Sequence, residues 1–284
     1  MTKSTVVRPY VTLVSIVGGL LAACSSTTDV GGTYEASPVV RAFLYAGEPV
    51  TDVRLTWTTT LSESDTIAAP INDASVALIR SGVRYALVRA AGDSGYYRYA
   101  GNDLTVREGD VFQFEAHVGD RLLTATTTVP IRPGTVTRSA DTVKVPDFSS
   151  FTPGTPGQRP TFEFTTVTVR WQKSSGSLYY VTLENLESNP VSVADSTGVF
   201  RFGPARTVLS PTAADSISIG FNQVKYYGMH RVRVYRVNDE YAQLYATQQQ
   251  DSRDLNEPFS NVQGGLGVFS AFASDTTRVI VVKQ

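Results

Sequence analysis

Few residues of this sequence have the types and spacing that catalysis requires. The segment Gly92-Asp93-Ser94-Gly95 matches part of the nucleophile motif of chymotrypsin-like proteases. A serine nucleophile needs a histidine base oriented by a buried carboxylate, and in such proteases that histidine precedes the serine. Both histidines, His117 and His230, follow Ser94, and Tyr96 replaces the expected glycine. The sequence favours a turn here over a hydrolase site, so we expect no catalytic residues and no enzyme activity.

The sequence also lacks the residues that a metal site or a phosphate-binding loop needs. Two separate histidines without a neighbouring thiol do not match a zinc site, and the sequence has no Asp-x-Asp-x-Asp-Gly calcium loop. Gly264-Gly265 is not followed by the Lys-Ser or Lys-Thr pair of a phosphate loop. We expect no metal and no cofactor, and we expect these glycines to permit positive φ or close backbone approach before a terminal strand.

Cys24 is the residue whose surroundings indicate a specific covalent chemistry. It is the only cysteine among 284 residues, and it follows Leu21-Ala22-Ala23 at the end of an apolar segment that begins at Tyr10. That segment is shorter than the roughly 20 residues that span a bilayer, and a basic start precedes it. The pattern predicts a bacterial lipoprotein signal over residues 1–23, with lipid on Cys24. An ordinary secretory signal that happens to contain a cysteine is the alternative.

The predicted lipid indicates a position on a membrane surface. An acylated protein is held at a membrane without spanning it, and residues 24–33 are polar and small enough to serve as a tether. Ser25, rather than aspartate, follows the cysteine, which under the usual sorting rule indicates the outer membrane. The sequence leaves open whether the body faces the periplasm or the cell surface.

Composition limits the class of protein further. The net charge of −1 argues against a nucleic-acid partner. Once the signal is removed, no cysteine besides Cys24 is present, so disulfides do not stabilise the body. Its stability must come from packed cores, for which the hydrophobic content of 42% is sufficient.

Apolar and polar residues alternate through the body, which predicts strands. Val53, Leu55 and Trp57 share one parity, as expected for a half-buried strand. The runs 111–118 and 122–129 flank Gly119-Asp120 and predict a hairpin. Short strands separated by Gly and Asp turns favour a sandwich, so we predict an N-terminal immunoglobulin-like β-sandwich over residues 34–133.

The second half, residues 134–284, is predicted to be a C-terminal β domain with one short helix. A strand ending at Trp171, a turn, and a strand starting at Tyr179 resemble the paired core strands of fibronectin-type sandwiches. Asn238 is the expected cap of a helix that runs to about residue 250. The chain is predicted to end in a hairpin whose turn is Ser274-Asp275-Thr276. The predicted fold class is therefore all-β, with two β-sandwich domains.

Adjacent tyrosines are the remaining candidates for a binding surface. The three pairs are Tyr96 and Tyr97, Tyr179 and Tyr180, and Tyr226 and Tyr227. Strand alternation is expected to leave at least one ring of each pair exposed, where it can contact a sugar or a protein. The alternative is that tyrosine occurs here for its strand propensity. Arg231 and Arg233 are similarly either an anion or partner contact or a solvated strand face.

Three features in a fixed order carry a family resemblance. They are the segment around Cys24, the Asn-Asp-Ala-Ser-Val segment at residues 72–76, and the segment from Asn256 to Phe269, which contains Asn-x-x-Gly-Gly-Leu-Gly-x-Phe. In this order the chain resembles an uncharacterised Bacteroidetes-type family of outer-membrane lipoproteins that carries a domain of unknown function. The first half also resembles transthyretin-like modules, through Ala74-Ser75-Val76 and Ser94-Gly95-Tyr96-Tyr97.

The resemblance implies a location and a neighbour rather than a reaction. Members of that family are commonly encoded beside TonB-dependent outer-membrane transporters, and no activity is established for them. We therefore expect an accessory or substrate-capturing partner of a TonB-dependent barrel. The alternative, motivated by the tyrosine pairs, is a free-standing surface adhesin or binder of glycan or peptide.

Overall fold

The computed structural model describes residues 35–59, 67–145, 165–193, 206–248 and 258–284. The predicted signal, the tether and Cys24 lie outside these residues. Strands dominate the described part, which confirms the all-β prediction. The strands and the helix are β1 (Pro38–Tyr45), β2 (Asp52–Trp57), β3 (Ser75–Arg80), β4 (Val83–Arg89), β5 (Tyr96–Tyr99), β6 (Val111–Val118), β7 (Arg121–Thr128), β8 (Thr137–Arg138), β9 (Thr142–Val145), β10 (Val167–Arg170), β11 (Tyr179–Asn185), β12 (Arg206–Thr212), β13 (Ser216–Ile219), β14 (Gly228–Val237), α1 (Asp239–Gln248) and β15 (Leu266–Lys283).

One large mixed sheet contains most of these strands. Its order is β12-β11-β14-β15-β1-β2-β5-β4-β3-β6-β7, and β9 also pairs with β15. A separate three-stranded sheet has the order β13-β10-β8. β1 and β9 pair with β15 in parallel, and the other described pairs of strands are antiparallel. Residues 36–284 form one compact unit.

The first core lies inside strands β1 to β7 and the beginning of β15. Val40, Ala42 and Leu44 alternate along β1 toward this core, as the two-residue period of a strand requires. The sheet curls until β7 meets the segment before β15, where Thr124 and Gln263 exchange backbone hydrogen bonds of 3.1 and 2.8 Å. The predicted hairpin of residues 111–129 is confirmed as β6 and β7.

The second core lies between the two sheets. Val181 of β11 and Val232 of β14 are buried in the same cluster as Val169 of β10. Strands β10 and β11, predicted as paired neighbours, therefore belong to different sheets. The turn between them crosses from one layer to the other, so the rings of Trp171 and Tyr179 still meet, with their centroids 5.6 Å apart.

The predicted C-terminal hairpin is wrong, because β15 runs without a break through Ser274-Asp275-Thr276. Ser274 pairs with Tyr235 of β14, and Thr276 pairs with Arg233. A carboxylate oxygen of Asp275 accepts a hydrogen bond from the backbone N–H of Val136 at 2.7 Å. The polar residues therefore lie in a strand, at the point where it leaves the first core for the second.

Helix α1 confirms the predicted cap. The side-chain oxygen of Asn238 accepts a hydrogen bond from the backbone N–H of Tyr241 at 3.3 Å, which satisfies an otherwise unpaired donor of the first turn. The helix ends at Gln248, and residues 249–257 lie outside the described residues. It covers an aromatic cluster on the face of the large sheet that points away from both cores, where Tyr241 packs on Phe43 and Phe272. This face is called the outer face below.

Candidate functional site

Tyr97 and Tyr179 of the predicted pairs are core residues. Both side chains are buried, Tyr97 in the first core and Tyr179 in the second. The Tyr97 hydroxyl donates to the backbone oxygen of Ile71 at 3.0 Å and accepts from the N–H of Ala74 at 3.1 Å. Burial raises the pKa of Tyr97. These two tyrosines hold strands in place.

The other four tyrosines are half-buried. Tyr226 and Tyr227 lie in the segment before β14, where Tyr227 packs against the second core. Tyr96 and Tyr180 point to the outer face, and they are the two members of the predicted set that the structure places on one surface. The hydroxyl of Tyr96 accepts a hydrogen bond from Arg41 at 2.6 Å, and the ring of Tyr180 lies 5.4 Å from that of Tyr235.

The segment Gly92-Asp93-Ser94-Gly95 is a turn between β4 and β5, as expected. The side-chain oxygen of Asn72 accepts a hydrogen bond from Gly95 N at 3.0 Å, and its amide nitrogen donates to Asp93. Gly95 has a φ of +69°, and a Cβ there would lie 2.2 Å from the backbone oxygen of Leu55. The predicted signature residue Asn72 therefore fixes this turn.

A groove of about 440 Å³ lies on the outer face, above β11 and β14 and beside the end of β1, the loop that follows it and the start of β2. We call it the central groove. Its lining is mainly polar and charged, and consists of Tyr45, Glu48, Thr51, Asp52, Thr182, Glu184, Arg231, Arg233 and Tyr235.

Strand alternation and register build the floor of the groove. Along β14, Val232 and Val234 point into the second core, so Arg231, Arg233 and Tyr235 point to the outer face. On the neighbouring strand β11, Glu184 is opposite Arg231 and Thr182 is opposite Arg233. Residues directly opposite each other share a sheet face, which brings opposite charges together in the groove.

Each carboxylate of the central groove has an arginine partner. Arg231 lies 3.4 Å from Glu184, and Arg233 contacts Glu48, which is 185 positions away in sequence. Arg41, just beyond the lining, lies 3.0 Å from Asp52. The groove therefore presents hydrogen-bond donors and acceptors with little unbalanced charge.

Arg233 is the most enclosed cation of the groove. Burial by itself lowers the pKa of its guanidinium, but Tyr235 and Glu48 outweigh this effect, and the pKa is raised overall. The Tyr235 hydroxyl accepts a hydrogen bond from Arg233 at 3.1 Å. Arg233 therefore stays charged and held in one position.

Aromatic rings form the wall of the groove on the side of α1. Tyr45 stacks on Phe272 with centroids 5.2 Å apart and planes 17° apart, and Tyr235 lies edge-on to both rings. Tyr180 lies next to Tyr235 on this side, whereas Tyr96 lies beyond Arg41 on the other side. Tyr96 and Tyr180 thus flank the groove, whereas Arg231 and Arg233, the other contacts predicted from the sequence, line it.

A family model described as a domain of unknown function, DUF4249, matches residues 29–278. The chain belongs to the DUF4249 family. This match confirms the prediction of an uncharacterised domain-of-unknown-function family and covers all residues of the central groove. No curated protein matches the chain.

The glycine-rich signature of this DUF4249 protein has a structural role. Gly264 has a φ of +79°, and a Cβ there would lie 2.2 Å from the backbone oxygen of Leu122. At Gly267 a Cβ would lie 1.9 Å from the backbone oxygen of Val40. Asn261 bonds both backbone groups of Phe269, at 2.8 and 2.9 Å. The expected positive φ and close approach are confirmed, and the glycines let β15 enter between β7 and β1.

The two histidines lie in different surroundings. His117 is exposed on β6 and lies 3.5 Å from Glu115. Only 2% of His230 is exposed, because β14 runs through the middle of the second core. Strands β6 and β14 are not neighbours in the sheet.

The described residues contain no group of three or more His, Cys, Asp or Glu side chains placed to hold a metal ion. Within the same ranges, no helix is both long and apolar enough to cross a membrane.

Proposed function

We propose that this DUF4249 protein is an outer-membrane lipoprotein, anchored through lipid on Cys24, that acts as an accessory or substrate-capturing partner of a TonB-dependent transporter. The observation that carries the proposal is Cys24 directly after Leu21-Ala22-Ala23 and a short apolar segment. The central groove supports a binding role, because its ionisable side chains are paired with each other as Arg–carboxylate contacts. We propose that the protein is not an enzyme.

The proposal includes a finer architecture. The first core would belong to an immunoglobulin- or transthyretin-like sandwich over residues 34–133, and the second to a fibronectin-like domain over residues 134–284. The two clusters of buried residues support this division. Strand β15, which contributes Phe269 to the first cluster and Val279 to the second, would join the two domains.

Crosslinking in intact cells tests the proposed partner. A tagged chain with its own signal is crosslinked, the outer membranes are solubilised in detergent, and the captured complexes are digested for mass spectrometry. We expect peptides from a TonB-dependent barrel crosslinked to the body. Complexes without any barrel, at a crosslinker concentration that captures a known barrel–lipoprotein pair, would contradict the proposal.

A free-standing surface binder is the second candidate, and Tyr96 favours it. Its half-buried ring lies 5.8 Å from the guanidinium of Arg41 and 5.5 Å from that of Arg54, which leaves an aromatic and cationic patch beside the groove. A glycan array that compares the wild-type protein with Tyr96→Ala tests it. Equal signals from the two proteins would contradict a role for this patch.

A further inference from the structure

We infer that the central groove binds a neutral oligosaccharide through its paired arginines and carboxylates. The inference rests on the proposed capturing function and names the class of substrate that would be captured. It depends on the charge balance of the groove, on the origin of its hydrogen-bonding groups and on its size and polarity.

Charge balance disfavours an ionic ligand. Glu184, Glu48 and Asp52 are each matched by an arginine, so the groove offers an added anion or cation no unpaired opposite charge. A hydroxyl group can accept a hydrogen bond from a guanidinium and donate one to the adjacent carboxylate. A ligand with several neighbouring hydroxyls therefore fits these pairs without displacing either partner.

The groove offers side chains rather than backbone groups. Strand β14 is paired with β11 and β15, and β11 is paired with β12 and β14, so the ladders already engage the backbone of the floor. Extended peptides commonly bind by adding a strand to an open sheet edge, which this floor does not provide. Recognition here must use guanidinium, carboxylate and hydroxyl groups, which suits a sugar better than a peptide.

Size and polarity point to the same class of ligand. The volume of about 440 Å³ falls within the roughly 300–1,000 Å³ of small-molecule sites. Such sites are usually lined by hydrophobic side chains, whereas this one is lined mainly by charged groups, hydroxyls and two tyrosines, Tyr45 and Tyr235. An apolar ligand would leave the charged groups desolvated, so the lining favours a hydrophilic one.

The Arg231–Glu184 pair provides the sharpest test. Its two side chains are 35% and 44% exposed, so its removal should cost the fold little. The pair Arg84–Glu115 on β4 and β6 has similar exposure and lies outside the groove, which makes it a matched control.

The experiment is isothermal titration calorimetry on the full lipidated protein in a zwitterionic detergent. The probes are maltohexaose, cellohexaose, xylohexaose and mannohexaose, with the peptide hexaalanine as the non-sugar comparison. We expect saturable binding of at least one sugar. Arg231→Ala with Glu184→Ala should weaken it by at least about tenfold, or about 1.4 kcal/mol, whereas Arg84→Ala with Glu115→Ala should leave it unchanged.

Three results would overturn the inference. The first is the absence of sugar binding at millimolar concentrations. The second is sugar binding that the Arg231 and Glu184 substitutions leave unchanged, in a variant that far-ultraviolet circular dichroism shows to be folded. The third is binding of the peptide in preference to the sugars. Sugar binding without a crosslinked barrel would instead contradict the proposed transporter partner and leave the central groove as a sugar-binding site. A crosslinked barrel without sugar binding would reject only the inference about the ligand.

Discussion

At the residue scale, His230 is held in one tautomer by its neighbours. Its Nδ1 lies 3.0 Å from the backbone oxygen of Gly228, and its Nε2 lies 3.3 Å from the amide nitrogen of Asn185. That amide nitrogen also donates to the oxygen of Tyr227, and the amide oxygen accepts from the N–H of Glu187, so its orientation is fixed. Nδ1 therefore carries the proton and Nε2 accepts.

This arrangement predicts a loss of stability in acid. Burial lowers the pKa of His230, an effect that Gly228 and Glu187 offset only in part. Below the pKa of about 6.5 that His230 has in the unfolded chain, the unfolded chain takes up a proton that the folded chain does not. The free energy of unfolding therefore decreases as the pH is lowered, until the pH passes the pKa of His230 in the folded chain. Urea unfolding between pH 7.5 and pH 5.5 measures this loss.

Substitutions at the two histidines assign the loss to one ring. His230→Gln should unfold with a smaller difference in stability between the two pH values than the wild-type protein. His117→Gln is the matched control, because His117 is exposed, and it should keep the wild-type difference. Equal pH dependence in all three proteins would contradict the assignment.

At the element scale, close backbone approach explains the glycines before β15. Gly264→Ala should destabilise the fold strongly, because it adds a Cβ 2.2 Å from Leu122 O to a residue with positive φ. Gly119→Ala also has positive φ, +56°, but its Cβ would meet nothing within 4 Å. We expect about 1 kcal/mol for Gly119→Ala and at least about 2 kcal/mol for Gly264→Ala, measured by urea unfolding. Similar losses at both positions would refute the close approach.

The continuous course of β15 depends on the hydrogen bond that the Asp275 side chain accepts while Asp275 lies in the strand. Asp275→Ala removes the acceptor for the buried N–H of Val136, so it should cost about 1–3 kcal/mol. Asp275→Asn retains an oxygen acceptor and should cost less. Both are measured by thermal unfolding, and an alanine variant as stable as the wild-type protein would argue against the contact.

The sequence predicts elements well where a local pattern determines them. The hairpin of residues 111–129 and the cap at Asn238 follow from alternation, turn chemistry and capping, which act between near neighbours. The prediction from sequence fails at residues 274–276, since polar residues favour a turn and the hydrogen-bond partner of Asp275 is 139 positions away.

The central groove was not predicted from the sequence for the same reason. Arg233 and Arg231 were candidate contacts, but the pairing of Arg233 with Glu48 arises only in the folded sheet.

At the scale of the whole molecule, the anchor and the body are predicted to be separable. Cys24→Ser removes the lipid acceptor and changes none of the described core residues, so the protein should move from the membrane pellet to the soluble fraction with its thermal unfolding midpoint unchanged. Ultracentrifugation followed by immunoblotting measures the distribution. Retention of this variant in the pellet would mean that another surface binds the membrane or a membrane partner.

Affinity purification shows whether the anchored body works beside a transporter. The tagged, lipidated protein is purified from outer membranes without crosslinker, and the copurifying proteins are quantified by mass spectrometry, with Cys24→Ser processed in parallel. We predict a TonB-dependent barrel in near-stoichiometric amount with the wild-type protein and much less with the variant. A wild-type preparation with no barrel would contradict a transporter partner and favour a free-standing binder.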